Sequence, residues 1–240
     1  MALALIVFAV TFLSGTAQIV TGFGFAVVMM ALLPLALPHS IVLYFCLVGG
    51  SIIGIWLVWR YRHKVAWRAS ITPILFSLIG TMLGILMDTK LTDGFYNRLL
   101  GILLCLMALW MQFFSKKVHI PGTPLTGAIA GAAAGVLNAL FAMGGPPLVL
   151  YYTSVLDDKE AYVSTLNLVI TISALLTVVS RAILLGLPGE LAIYALPWLL
   201  GLGAAAVVGK RIFSRISADQ MRQIIYIFMF IVGLYFIIAG

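Results

Sequence analysis

The sequence is poor in charge. Lys, Arg, Asp and Glu make up 9% of it, against about 25% in soluble domains, and no formally charged side chain occurs before Arg60. That excludes a soluble domain. One of this size still exposes about a quarter to a third of its unfolded area, and a chain that is 63% hydrophobic, with mean hydropathy +1.18, has too little polar surface to cover it. Lipid must be the solvent. Cysteine is scarce as well: Cys46 and Cys105 lie singly inside apolar runs, where they read as small buried residues rather than a disulfide or a metal pair. All seven acidic residues (Asp88, Asp93, Asp157, Asp158, Glu160, Glu190, Asp219) and His39, His63 and His119 fall in loops or at the ends of apolar runs. A proton relay, which needs such groups at membrane depth, is therefore not expected. No nucleophile–base pair, metal-ligand set or phosphate loop is present, so neither an enzyme nor a bound cofactor or metal is expected. The N-terminal apolar stretch lacks the basic lead-in of a signal peptide and reads as mature structure.

What is present is a series of apolar runs. Six have spanning length, at about 40–59, 70–87, 95–114, 161–180, 191–209 and 219–240, near the roughly 20 residues that cross a bilayer. Two further segments, 3–36 and 123–155, are too long for one straight span and too short for two, and glycine interrupts each near its middle. Legs of about 15 residues would reach only ~22 Å at 1.5 Å per residue.

The excess of basic residues gives a net charge of +7. They sit in short loops, which speaks for membrane topology and against a nucleic-acid partner. The loop 60–69, the loop 115–122, Lys159 and the segment 210–222 hold eleven of the fourteen basic residues, which places all four on the cytoplasmic side. The loops 88–94 and 181–190, with Lys90 and Arg181, then fall outside. Segment 123–155 starts and ends inside on this count, so it must enter and return.

Shifting the sequence by half its length aligns Gly15 with Gly135, Gln18 with Asn138 and Gly24 with Gly144. Each half reads as one broken hairpin followed by three spans. Three is odd, so the second half is inverted relative to the first, the layout of many secondary transporters. The expected fold is thus all-α and membrane-integral, with residues 1–120 and 121–240 as two inverted repeats, each a broken or re-entrant helical hairpin plus three transmembrane helices.

The breaks carry the candidate site. The first reads Gln18-Ile-Val-Thr-Gly-Phe-Gly24 and the second Asn138-Ala-Leu-Phe-Ala-Met-Gly-Gly-Pro-Pro147. Backbone groups freed by a broken helix are tolerated in lipid only where protein or a water-lined cavity satisfies them. Gly144 and Gly145 permit positive φ, and Pro146 and Pro147 suit a first helical turn. A fresh helix N-terminus near mid-depth offers N–H groups and partial positive charge to an anion. Gln18 and Asn138 add amides and Thr21 a hydroxyl. Gly127, Gly131 and Gly135, and Gly80 with Gly84, have instead the spacing of helix contact faces. Asn167, in the span after the second hairpin, either lines a pathway or bonds a neighbouring helix. Arg98 and Arg222 lie about a turn into their spans and read as snorkelling cations. Trp56, Trp59, Tyr61 and Trp67 read as an interfacial belt.

With these two breaks, the Gly-Gly-Pro-Pro stretch and the halved layout, the chain resembles the sulfite exporter TauE/SafE family over essentially its whole length. The resemblance implies a multi-pass protein of the bacterial inner (cell) membrane that moves a small sulfur-containing anion such as sulfite or an organosulfonate. It also implies that Gln18, Gly22, Gly24, Asn138, Gly144, Gly145 and Pro146 line a central site, where the two hairpins meet. The expected function is export of such an oxyanion. A passive anion channel uses the same site, and a membrane-embedded enzyme or assembly factor of sulfur or lipid metabolism would have to use Cys46 or Cys105. The expected partners are a small anion and the lipid bilayer, with a homodimer left open.

Overall fold

The computed structural model describes residues 2–21, 24–88, 93–113, 121–209 and 218–239. Among them every regular element is a helix. They are α1 (Ala2–Thr21), α2 (Phe25–Leu32), α3 (His39–Arg60), α4 (Trp67–Asp88), α5 (Asp93–Phe113), α6 (Pro124–Phe141), α7 (Gly145–Val155), α8 (Lys159–Leu184), α9 (Leu191–Ala204) and α10 (Ala218–Ala239). A π-helical turn, Ala205–Gly209, extends α9. The six apolar runs expected to span fall on α3, α4, α5, α8, α9 and α10, of which α3, α4 and α8 have the length and apolarity of a span along their described residues and the other three carry shorter apolar stretches.

Among the described residues, five helical stretches are long and apolar enough to cross a bilayer: Ala2–Ile19, His39–Arg60, Trp67–Asp88, Pro124–Phe141 and Lys159–Leu184. Two of these are first legs of the broken segments, which corrects the expectation of two short legs. Each break falls late in its segment, so a leg of span length precedes a short one: α1 has 20 residues against 8 in α2, and α6 has 18 against 11 in α7.

The chain divides into two compact units, Met1–Gly49 with Leu91–Lys116 and Leu187–Gly240, and Gly50–Lys90 with Lys117–Gly186. Helix α3 contributes its first half to one and its second half to the other.

In the first unit α1 packs mainly on α9. Gly201 makes room for the approach, because a Cβ there would lie 2.6 Å from the Phe8 carbonyl oxygen. Thr11, Ser14 and Thr16 donate their hydroxyls to carbonyls one turn back, each at 2.7 Å, so α1 satisfies its own polar groups. Helices α5 and α10 meet at Gly101 and Gly233: a Cβ on Gly101 would stand 2.6 Å from the Gly233 carbonyl oxygen. Phe25, Met29 and Met30 of α2 are fully buried, and Phe45 stacks on Trp198 with ring centroids 5.1 Å apart.

In the second unit α4 and α6 form the tightest pair. Gly131 and Gly135 of α6 lie against the Pro73 and Ser77 backbone, and Gly80 and Gly84 of α4 lie against Ala132 and Val136. The two small-residue faces read from the sequence are therefore facing one another. Lipid tails offer no hydrophobic drive for helix association, so backbone approach and dispersion hold such pairs. Gly127 instead meets the Tyr151 ring and Gly122 meets Val155, so α7 runs back beside α6 and closes a hairpin. Tyr151, Tyr152, Leu148, Leu166 and Val169 form the buried core beside it.

One end of this unit is defined by polar contacts. Lys64 pairs with Asp158 at 3.4 Å, the Ala66 N–H donates to Thr165 Oγ1 at 2.9 Å, and Gly122 and Val155 lie at the hairpin's open end. The loops 61–66 and 156–158 are thus together at that end, and α4, α6 and α8 all run away from it. Trp56, Trp59 and Trp67 are exposed, as an interfacial belt requires, and Arg98 is exposed too.

Two predictions follow from this packing. Gly135→Val forces a side chain into the Ser77 and Thr81 backbone of α4 and should destabilise the protein by about 1–3 kcal/mol, the usual cost of overpacking. Gly203→Ala enters open space and should leave the melting temperature in detergent unchanged or slightly raised. Asp158 caps α8 by accepting from the Glu160 N–H, and this bond, with the Lys64 ammonium, holds its carboxyl below the usual range. A depressed folded pKa means that the stabilisation is complete above the ordinary carboxylate pKa and is lost as pH falls through the lowered value. Acid should therefore lower the melting temperature more steeply in the parent than in Asp158→Asn, and less so in high salt.

Candidate functional site

The second break is built by a left-handed residue. Helix α6 ends at Phe141, and Ala142 takes φ 55 and ψ 19. Its N–H bonds the Asn138 carbonyl at 2.9 Å, and the Met143 N–H bonds the Leu137 carbonyl at 3.2 Å. Those bonds satisfy carbonyls that the last turn leaves open. The expectation that Gly144 and Gly145 supply the positive φ is corrected here: Gly144 has φ −69, and Ala142 is the only non-glycine residue with positive φ among those described. Gly144 serves close approach instead. A Cβ on it would lie 2.9 Å from the Ala134 carbonyl oxygen and 3.0 Å from Asn138 Cβ. At Gly145 a Cβ would meet only Ile170 Cδ1, at the ordinary distance of 3.7 Å, so the packing does not require glycine there.

Helix α7 starts at Gly145 with Gly144 as its N-cap and no side chain capping it. Of the first four N–H groups, which a helix cannot bond internally, Pro146 and Pro147 have none. The donors at this N-terminus are therefore those of Gly144 and Gly145.

Asn138 is buried one turn before the break, and its Nδ2 donates to Ser173 Oγ of α8 at 3.2 Å. Ser173 in turn shares a hydrogen bond with Thr81 of α4 at 3.3 Å. Each of the three stands fourteen residues beyond the first residue of its helix, about 21 Å along at 1.5 Å per residue. The polar cluster is thus interior to the helices, and the chain reversal lies one turn further on. Asn167 is also buried, and its Nδ2 donates to the Val163 carbonyl of its own helix at 2.9 Å.

At the first break Gly24 is left-handed, with φ 109, and starts α2, whose Val28 N–H bonds its carbonyl at 3.1 Å. Only glycine takes that backbone readily. Gln18 is buried, with 6% exposure. Gly22 and the side chain of Thr21 lie outside the described residues.

Sequence reasoning missed one feature of this region. Arg181 and Asp88, read as loop charges, form a buried ion pair: Nη1 stands 2.8 Å from Asp88 Oδ2, and the side chains are 4% and 9% exposed. Both residues lie within helices, α8 and α4, whose apolar runs they close. The same Nη1 donates to the Ala139 carbonyl at 3.4 Å, in the last turn of α6. A signal existed. Ser173, Thr177 and Arg181 recur at four-residue spacing on α8, Ser77 and Thr81 do so on α4, and all of them are buried.

Helices of this length and composition, with polar side chains turned inward, define an all-helical, multi-pass membrane protein. The chain belongs to the sulfite exporter TauE/SafE family of membrane transporters, whose model matches residues 7–236. No curated protein and no solved structure matches it.

The strained reversal yields a prediction. A non-glycine residue in the left-handed region costs about 1–2 kcal/mol. Ala142→Gly should therefore leave the fold intact and keep or raise the melting temperature, whereas Ala142→Val, β-branched at positive φ, should lower it by several degrees.

Proposed function

We propose that this chain is a secondary transporter that exports a small sulfur-containing oxyanion, of the sulfite or organosulfonate class, across the bacterial inner membrane. The binding site is at the broken-helix N-terminus of α7. The observation that carries the reading is the start of α7: a helix N-terminus inside a membrane protein, uncapped by any side chain, with the Gly144 and Gly145 N–H groups as donors and the buried Asn138 packed against Gly144. An uncapped helix start in lipid is costly, and partial positive charge there suits an anion. Gln18 and Gly24 occupy the corresponding places at the first break.

The inverted repeats 1–120 and 121–240 are part of this reading. Reciprocal packing supports them: the first hairpin packs on α9 of the second half, and the second hairpin on α4 of the first half. Both partner helices carry an internal proline, Pro73 in α4 and Pro197 in α9. An enzyme reading draws no support from the thiols, since Cys46 is buried and Cys105 donates weakly to the Phe230 carbonyl. Export from a cell with a negative interior runs with the potential, at about 2.3 kcal/mol per charge per 100 mV.

The test is flux in proteoliposomes offered sulfite, sulfate, thiosulfate, sulfoacetate and a carboxylate control. One sulfur anion should move saturably, faster with an outward driving potential. Asn138→Ala should cut that flux about tenfold, the worth of one good hydrogen bond, without changing the melting temperature by more than a few degrees. Absence of flux and binding for every anion, or a parental rate in Asn138→Ala, would sink the reading.

A further inference from the structure

We propose that Arg181 is the charged group that recognises the transported oxyanion, and that Asp88 is an internal carboxylate which the oxyanion displaces from it. The inference rests on the transport reading above and deepens it, since helix N-termini and amides alone bring no full positive charge to the anion.

The geometry of the pair is the first argument. A guanidinium has five N–H donors in a planar fork, and its strongest carboxylate pairs use two of its nitrogens side by side. Here a single nitrogen, Nη1, makes both contacts, to Asp88 Oδ2 and to the Ala139 carbonyl. Nε is buried with no hydrogen-bond partner among the described residues. A pair kept for stability alone has no reason to leave a buried donor unused, because an unmet donor costs the fold its desolvation. A pair kept as a placeholder does: the spare edge of the fork is where a second oxyanion seats.

Position is the second argument. The Ala139 carbonyl ties the guanidinium to the last turn of α6, three residues before the reversal at Ala142 and six before the first residue of α7. The cation is thus anchored to the segment that also carries Asn138, Gly144 and Gly145. Polar side chains lead along α8 toward it, with Ser173 bonded to Asn138 and Thr177 donating to the Ser173 carbonyl at 2.8 Å.

Chemistry is the third. Sulfite and sulfonates present several equivalent oxygens, which match a guanidinium fork better than they match a point charge. In the empty protein Asp88 keeps the buried cation neutralised, as low dielectric demands. When the oxyanion arrives, it takes Asp88's place on the fork, and repulsion between the two anions limits how tightly the substrate is held. That is what a carrier needs, because a substrate bound too firmly is not released.

Binding of the sulfur anions to purified protein in detergent, by calorimetry, tests this with variants chosen for sign. Asp88→Asn removes the competitor and should tighten the best-bound anion of the panel by at least about tenfold. Arg181→Lys keeps the charge and Asp88's partner but loses the fork, and should weaken it at least as much. Arg181→Gln with Asp88→Asn removes both charges together, so that neither is left buried alone, and should abolish binding while the protein still melts cooperatively. A pair that only holds helices together predicts the reverse: Asp88→Asn melts earlier with unchanged affinity, and the double variant or Arg181→Lys binds as the parent does. Either of those results overturns the assignment while leaving the transport reading in place. If the parent itself binds and moves no anion, both fall together.

Discussion

Nothing in a bilayer core satisfies a backbone N–H or C=O except the chain itself. Every feature of this fold answers to that constraint. It makes each apolar run a helix, and it makes any interruption of a helix expensive. The reversal after α6 shows how the cost is contained: Ala142 and Met143 turn their N–H groups back onto the last-turn carbonyls of Leu137 and Asn138, and the two prolines that follow have no N–H to satisfy. What remains open is a pair of glycine donors at the start of α7. The break is therefore almost fully self-satisfied, and its residual polarity is confined to the start of α7.

The same solvent explains the glycines. Since lipid is as apolar as leucine, burying leucine between helices gains little, and helices associate by letting backbones approach. Gly80, Gly84, Gly131 and Gly135 interlock α4 with α6, and this contact has a consequence for the polar residues. It fixes α6 at a constant level against α4 and so places Asn138 opposite Thr81 and Ser173. The rigid seam positions the polar cluster, and the reversal lies one turn beyond it.

Much of this was legible in the residues. Run length found six apolar helices, three of them of full spanning length along their described residues, because a bilayer imposes a length, and the four-residue glycine spacing found the α4–α6 faces because helix geometry imposes a period. The hairpin of α6 and α7 followed from counting charged loops. Three things were not legible. The breaks were expected mid-segment, but glycine content alone cannot say where a helix stops, and the left-handed turn fell on alanine rather than on the neighbouring glycines. The broken segments therefore gained one leg of full spanning length. Asp88 and Arg181 were read as loop residues because a run-length argument treats a charge as the end of a span. A paired charge breaks that rule: once neutralised by its partner, it can stay inside the helix and underneath the protein surface. Reading the polar residues by helical period, and not only by position in the run, would have set Ser173, Thr177 and Arg181 on one stripe.

The electrostatics of transport tie these parts together. A lone arginine buried among apolar helices would bind an oxyanion too well and would destabilise the empty protein. A site with helix dipoles and amides alone would leave a bare anion to cross a low-dielectric region with only partial charges to replace its hydration. A neutral Arg–Asp pair beside a broken helix lies between these extremes. On the proposed reading it holds its charges in store while the site is empty and lends the cation when substrate arrives, so the complex carries the anion's own charge and no more. That net charge is what the membrane potential acts on, at about 2.3 kcal/mol per charge per 100 mV. On the proposed reading, an outward anion flux draws on that potential directly.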